Sequence, residues 1–125
     1  MDILLIRHGQ SHNNAVYAAQ GNSVGRLPDP PLTPLGEAQA QALAAAFAAG
    51  DYPVVPTALH ASLMSRAILT AKPIAEALEL TVLGHADAFE VGGPTEWSGD
   101  DADPRTAHSG SGAAALQALS DRLVL

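Results

Sequence analysis

The chain has 125 residues, a length that fits one domain and excludes a multidomain organisation. Apolar side chains make up 47% and charged ones 15%, so the chain buries a core rather than staying disordered. Six basic residues against 13 acidic ones give a net charge of -7, which excludes nucleic acid and anionic membrane surfaces as general partners. Cysteine is absent, so a disulfide framework, a thiolate metal site and a cysteine nucleophile are all ruled out. No apolar run approaches the ~18 residues of a membrane span. The four apolar residues between Asp2 and Arg7 are too few for a signal peptide. The expectation is a soluble, cytoplasmic protein forming one domain over residues 1–125.

In chain order, Ile3 to Ile6 is a continuous apolar run, the pattern of a strand buried on both faces of a parallel sheet. It leads directly into Arg7-His8-Gly9, at the carboxyl end where open α/β sheets hold ligands. From Gln10 to Pro31 the sequence is polar and rich in Asn, Gly and Pro, which predicts loop with a short helical turn around Asn14 to Ala19. Thr33 then reads as an N-cap with Pro34 at the first helical position. Leu35, Ala38, Ala42, Leu43, Ala46 and Phe47 recur at helical spacing, and Gly50 reads as the stop.

Ala58 to His60 is a second predicted strand. Ser62 is placed to cap a helix running to about Leu78, in which Pro73 should produce a kink or a break. Thr81 to Leu83 is a third predicted strand. Val91 to Gly112 is dense in Gly, Pro, Asp and Ser and reads as a long loop. A last helix is predicted over roughly Ala113 to Arg122. Alternating strands and helices imply an α/β fold of three layers with a mostly parallel sheet.

The chemistry concentrates where those strands end. Gly9 would let the backbone approach a ligand or turn sharply. His8 is a candidate nucleophile, base or ligand, and Arg7 offers a fork of donors suited to phosphate or carboxylate. Arg66 falls in the first turns of the second long helix, where free N–H groups and the dipole already favour an anion. Glu90 follows the third strand and can bring a carboxyl group to the same edge. Taken singly, each residue reads as a turn, a solvated helix position or a surface charge. Their joint placement after successive strands points to one anion pocket.

Leu5-Ile6-Arg7-His8-Gly9-Gln10-Ser11 with Asn14 downstream, Asp29-Pro30-Pro31-Leu32-Thr33-Pro34-Leu35-Gly36 leading into Gln39-Ala40, the Ser62 to Ala71 segment around Arg66, and Glu90 with Gly92-Gly93 occur in one order and spacing. In this the chain resembles the histidine phosphatase superfamily, the phosphoglycerate mutase-like group. The resemblance implies that His8 attacks phosphorus and forms a phosphohistidine. It implies that Arg7 and Arg66 grip the phosphoryl oxygens, with Asn14 adding a hydrogen bond. Glu90 would protonate the leaving oxygen and then activate water, so it would have to hold its proton when substrate binds. No metal and no cofactor are implied, and the partner would be a small phosphorylated substrate. The mutase branch usually carries Trp where Asn13 stands here, and a Gly-Trp pair in the region of Asn22-Ser23-Val24-Gly25, so a phosphatase is favoured over a mutase.

The pattern breaks at its far end. The family needs a second catalytic histidine in a Ser/Thr-His-Gly setting after a later strand, and only His108, in a Thr-Ala-His-Ser-Gly loop, lies late in this chain. By resemblance, the missing strand inserts between the strand carrying His8 and the strand before Ser62. Its loss would leave unpaired backbone on both sides. The expectation is therefore a fold incomplete at the C-terminus, a truncated or fragmentary chain, impaired activity and self-association through the incomplete sheet.

Three rival readings stand beside this one. A zinc-dependent hydrolase could use His8 and His12 at i, i+4 spacing with Glu90. Gly110-Ser111-Gly112 before an Ala-rich segment loosely matches a dinucleotide fingerprint, although no strand precedes it. A non-catalytic phosphate-binding fragment or remnant needs no second histidine at all.

Overall fold

Helix boundaries follow the capping residues. Ser11 caps α1 (His12–Gln20), accepting from the Asn14 backbone N–H while its own N–H donates to the Asn14 side chain, a reciprocal capping box. Thr33 caps α2 (Pro34–Ala49) by accepting from the Gly36 N–H, and Gly50 closes it in the left-handed conformation at φ 73°. The computed structural model describes residues 1–88 and 110–125, together with the backbone pairing of 95–97 with 105–107. The remaining elements are β1 (Leu59–Ser62), α3 (Ser65–Leu78), β2 (Val82–His85), β3 (Thr95–Trp97), β4 (Arg105–Ala107), α4 (Ala113–Gln117) and β5 (Leu123–Val124).

β1, β2 and β5 form a parallel sheet in that order, with Leu59 opposite Val82 and Val82 opposite Leu123. β3 and β4 pair antiparallel as a separate ribbon. Side chains alternate across the sheet. Leu59, Ala61, Val82 and Leu123 face inward onto Ile68, Ala71, Ile74 and Ala75 of α3 and onto Ala44 and Phe47 of α2. On the other face His60, Leu83, His85 and Val124 are exposed. Ile68, Ile74 and Val82 are almost fully excluded from water, and each such side chain stabilises the fold by roughly 1.5–3 kcal/mol. Helices with a small parallel sheet make this an α/β fold. Among the described residues, no helix is long and apolar enough to cross a membrane.

Several local expectations are corrected. Ile3 to Ile6 pairs with no strand among the described residues, and Ile3 and Leu5 are 72% and 94% exposed. An apolar run becomes a strand only beside a partner, and β1 ends the described sheet without one on its outer side. The buried face of α2 is Gly36, Ala40, Ala44 and Phe47, whereas Leu35, Ala38 and Ala42 are exposed. In a helix this rich in alanine, apolar spacing hardly distinguishes one face from another, and the smallest residues are chosen for close packing on α3. α3 runs unbroken through Pro73, which is buried. Ser62 belongs to β1, and the position before α3 is Met64, which has no side-chain capping bond. The segment read as a single long loop contains the β3–β4 ribbon, and the last predicted helix stops at Gln117 so that Leu123–Val124 can pair with β2.

Candidate functional site

The segment before α1 is fixed to the start of α2. His12 N–H donates to Pro31 O at 3.0 Å and Thr33 N–H to Gln10 O at 2.9 Å, around an antiparallel bridge between Ser11 and Leu32. Gln10 N–H donates to Gln39 Oε1 at 2.8 Å, and Thr33 Oγ1 donates to Gln10 Oε1 at 2.7 Å. Gly9 and Gly36 meet backbone to backbone. A Cβ at Gly9 would lie 2.5 Å from Gly36 O, and one at Gly36 would overlap Gln10 O. Gly9 is thus needed for close contact with α2.

This frame sets the state of His8. Its Nδ1 lies 2.6 Å from Gly9 O, and a carbonyl can only accept, so Nδ1 carries the proton. Nε2 is left as the nitrogen with a lone pair. Gly9 N–H in turn donates to Thr70 Oγ1 at 3.1 Å, and Thr70 Oγ1 donates to Arg66 O at 2.7 Å. The buried Thr70 hydroxyl therefore locks the His8–Gly9 peptide to the turn of α3 that bears Arg66.

Arg7, His8, Asn14 and Arg66 line one open cleft of about 480 Å³, with Ser11, Asn13, Tyr17, Ser23, Arg26 and Pro30 completing its wall. An adjoining hollow of about 500 Å³ shares Arg7, His8, Asn14 and Tyr17. The sequence-derived residues Arg7, His8, Asn14 and Arg66 are brought together. Glu90 and His108 lie outside the described residues. Guanidinium groups around one cleft create a local anion site despite the acidic overall balance. Asn14 Oδ1 is engaged by Ser11 N–H at 3.0 Å, so its Nδ2 is the group left to donate. The N-terminal turn of α1 also borders the cleft and adds its dipole to the attraction for an anion.

The sequence alone assigns no part in building the cleft to three contributors, Arg26, Asn13 and Asp29. Arg26 enters the cleft from the loop between α1 and α2. That loop is held by Asn13, which donates to Leu27 O and accepts from Leu27 N–H, both at 2.8 Å, and by His12 Nε2, 3.1 Å from Gly25 O. Asn13 marked the departure from the mutase pattern, and its amide has the complementary donor and acceptor that a backbone clamp requires. The third is Asp29, whose Oδ1 accepts from Ser65 N–H at 2.8 Å and whose Oδ2 accepts from Ser65 Oγ at 2.6 Å. It also accepts from Ser111 Oγ at 2.5 Å. Asp29 thus supplies in trans the cap that α3 lacks locally, one residue before Arg66.

The zinc reading loses its geometric basis, because α1 begins at His12 and His8 precedes the capping residue, so the two imidazoles are not one helical pair. Among the described residues, no cluster of three His, Asp or Glu is arranged to hold a metal. The glycine-rich segment at 110–112 precedes a helix of only five residues, and Ser111 is engaged with Asp29.

The family model of the histidine phosphatase superfamily (branch 1) matches residues 3–117. The chain belongs to the histidine phosphatase superfamily. That match spans the cleft-lining residues from Arg7 to Arg66 and continues through α4. No curated protein matched the chain. Membership of the histidine phosphatase superfamily supports phosphatase-type chemistry in general.

Proposed function

We propose that the chain hydrolyses small phosphomonoesters through a phosphohistidine formed at His8. The observation that carries this reading is the Nδ1–H bond to Gly9 O, which fixes the tautomer with Nε2 as nucleophile in a cleft that also holds Arg7 and Arg66. Nε2 attacks phosphorus in line and the ester P–O bond breaks. Gly9 O supports the positive charge that develops on the ring, while Arg7, Arg66 and Asn14 Nδ2 bind the phosphoryl oxygens. Glu90 gives its proton to the leaving alcohol. It then removes a proton from the water that attacks the phosphohistidine, releasing phosphate and restoring the imidazole.

No cofactor takes part. Asn13, in place of the mutase branch's tryptophan, favours hydrolysis over phosphoryl transfer between sugar positions. The acidic balance keeps nucleic acid outside the substrate range, and the reading places the enzyme in the cytoplasm.

Hydrolysis of p-nitrophenyl phosphate by the wild type, His8→Ala and Arg66→Ala tests the reading. His8→Ala abolishes turnover, and Arg66→Ala lowers it roughly 10²–10³-fold. Hydrolysis that survives His8→Ala contradicts the mechanism. Saturable phosphate binding with no turnover in the wild type would reduce the chain to a phosphate-binding module.

A further inference from the structure

The exposed face of the sheet carries two imidazoles that the cleft does not use. His60 lies on β1 and His85 ends β2, and the parallel register sets Ser62 opposite His85 and His60 opposite Leu83. His60 and His85 therefore stand on the same face, offset diagonally by two residues along adjacent strands. Their ring centroids lie 5.0 Å apart, with planes 26° from parallel. His60 Nδ1 and His85 Nε2 approach to 2.7 Å. Both side chains are exposed, so the approach is open to ions from solvent.

We propose that His60 and His85 form a two-imidazole site for a divalent late first-row transition ion, Cu²⁺ or Zn²⁺. Imidazole nitrogens suit both ions, and the usual affinity order places Cu²⁺ above Zn²⁺. Metal–nitrogen bonds of about 2.0–2.1 Å at a tetrahedral angle set two ligand nitrogens about 3.3 Å apart. The pair at 2.7 Å must open by about 0.6 Å, a change that two exposed rings make by small side-chain rotations. In the metal-free chain one nitrogen donates its proton to the other. A metal takes the place of that proton, which passes by way of solvent to the other nitrogen of its ring, and bridges the same two atoms. No third His, Asp or Glu among the described residues joins them, so water completes the coordination. The net charge of -7 raises the local concentration of cations. The bridge spans β1 and β2, so occupancy holds together two strands of the small sheet.

The test is titration of the full chain with Cu²⁺ and with Zn²⁺ by calorimetry, together with Cu²⁺-induced broadening of backbone amide resonances. A saturable one-to-one event is expected, tighter for Cu²⁺, with broadening centred on β1 and β2. His60→Gln and His85→Gln each lose the event, and His12→Gln keeps it. The broadening map is read on the wild type and so does not depend on whether a variant folds. Absence of a saturable event, retention of it in His60→Gln and His85→Gln, or broadening centred on residues 1–26 would overturn the proposal. None of these readouts depends on phosphatase activity.

Discussion

The Thr70 hydroxyl accepts the Gly9 backbone N–H at 3.1 Å while donating to Arg66 O at 2.7 Å. One buried oxygen thus sets the distance between the peptide that follows His8 and the helical turn that carries Arg66. Thr70→Val keeps the shape but leaves the Gly9 N–H unsatisfied, which costs about 1–3 kcal/mol in a buried setting. Urea denaturation should show that loss. Thr70→Ser, which restores the hydroxyl, should recover most of it. Equal stability of the Val variant and the wild type would mean that the link is unimportant.

The contact between Gly9 and Gly36 makes a sharper steric prediction. Gly36→Ala drives a methyl group into the Gln10 carbonyl. Backbone offers no rotamer to turn away, so the loss is about 1–3 kcal/mol, as for other overpacked sites. Gly112→Ala meets nothing within 4 Å and should stay within about 0.5 kcal/mol of the wild type. Denaturant midpoints of the two variants check the contrast.

How much of this was legible beforehand depended on whether the signal was local. The Thr33–Pro34 start and the Gly50 stop of α2 are written in capping chemistry, and the structure has both. The meeting of Arg7, His8, Asn14 and Arg66 in one cleft followed from their positions along the motif segments. What stayed hidden depends on residues distant in sequence. The cap of α3 comes from Asp29, 36 residues before Ser65, and nothing near Met64 announces it. The pairing of Leu123 with Val82 rests on a two-residue strand too short to show a period. Ile3 to Ile6 had the composition of a buried strand, but composition does not supply a neighbour.

Asp29 should matter chiefly to the order of the first turn of α3. Asp29→Asn retains acceptor capacity at one atom but loses the charge that two hydroxyls and an N–H share. Hydrogen bonds to a charged group contribute about 1.5–3 kcal/mol each when buried, and this carboxylate is only half-buried, so a total near the low end is expected. Hydrogen exchange should accelerate at residues 65–68 and leave α2 unchanged. Uniform acceleration across the chain would point to global destabilisation instead.

Arg26 is predicted to act on substrate affinity. It stands on the wall of the cleft, held by the Asn13 clamp on Leu27. Arg26→Ala should weaken inhibition by inorganic phosphate and raise KM more than it lowers kcat. Asn13→Ala, which frees the loop without touching the guanidinium, should shift the same constants in the same direction by less. A change confined to kcat would contradict this placement.

The apolar segment at Ile3 to Ile6, which pairs with no strand among the described residues, and the outer edge of β1 predict self-association. Sedimentation velocity should show a concentration-dependent rise in mass. Ile3→Glu with Leu5→Glu should abolish it, whereas a monomer at every concentration would remove this expectation.

The central claim is that His8 Nε2 is the atom that receives the phosphoryl group. Rapid quenching of the chain with a phosphorylated substrate in alkali, followed by peptide mapping by mass spectrometry, tests it most directly. The expected result is a single base-stable, acid-labile phosphate on the peptide containing His8, absent from His8→Ala. A phosphate on another residue, or turnover with no phosphopeptide at any quench time, would contradict it.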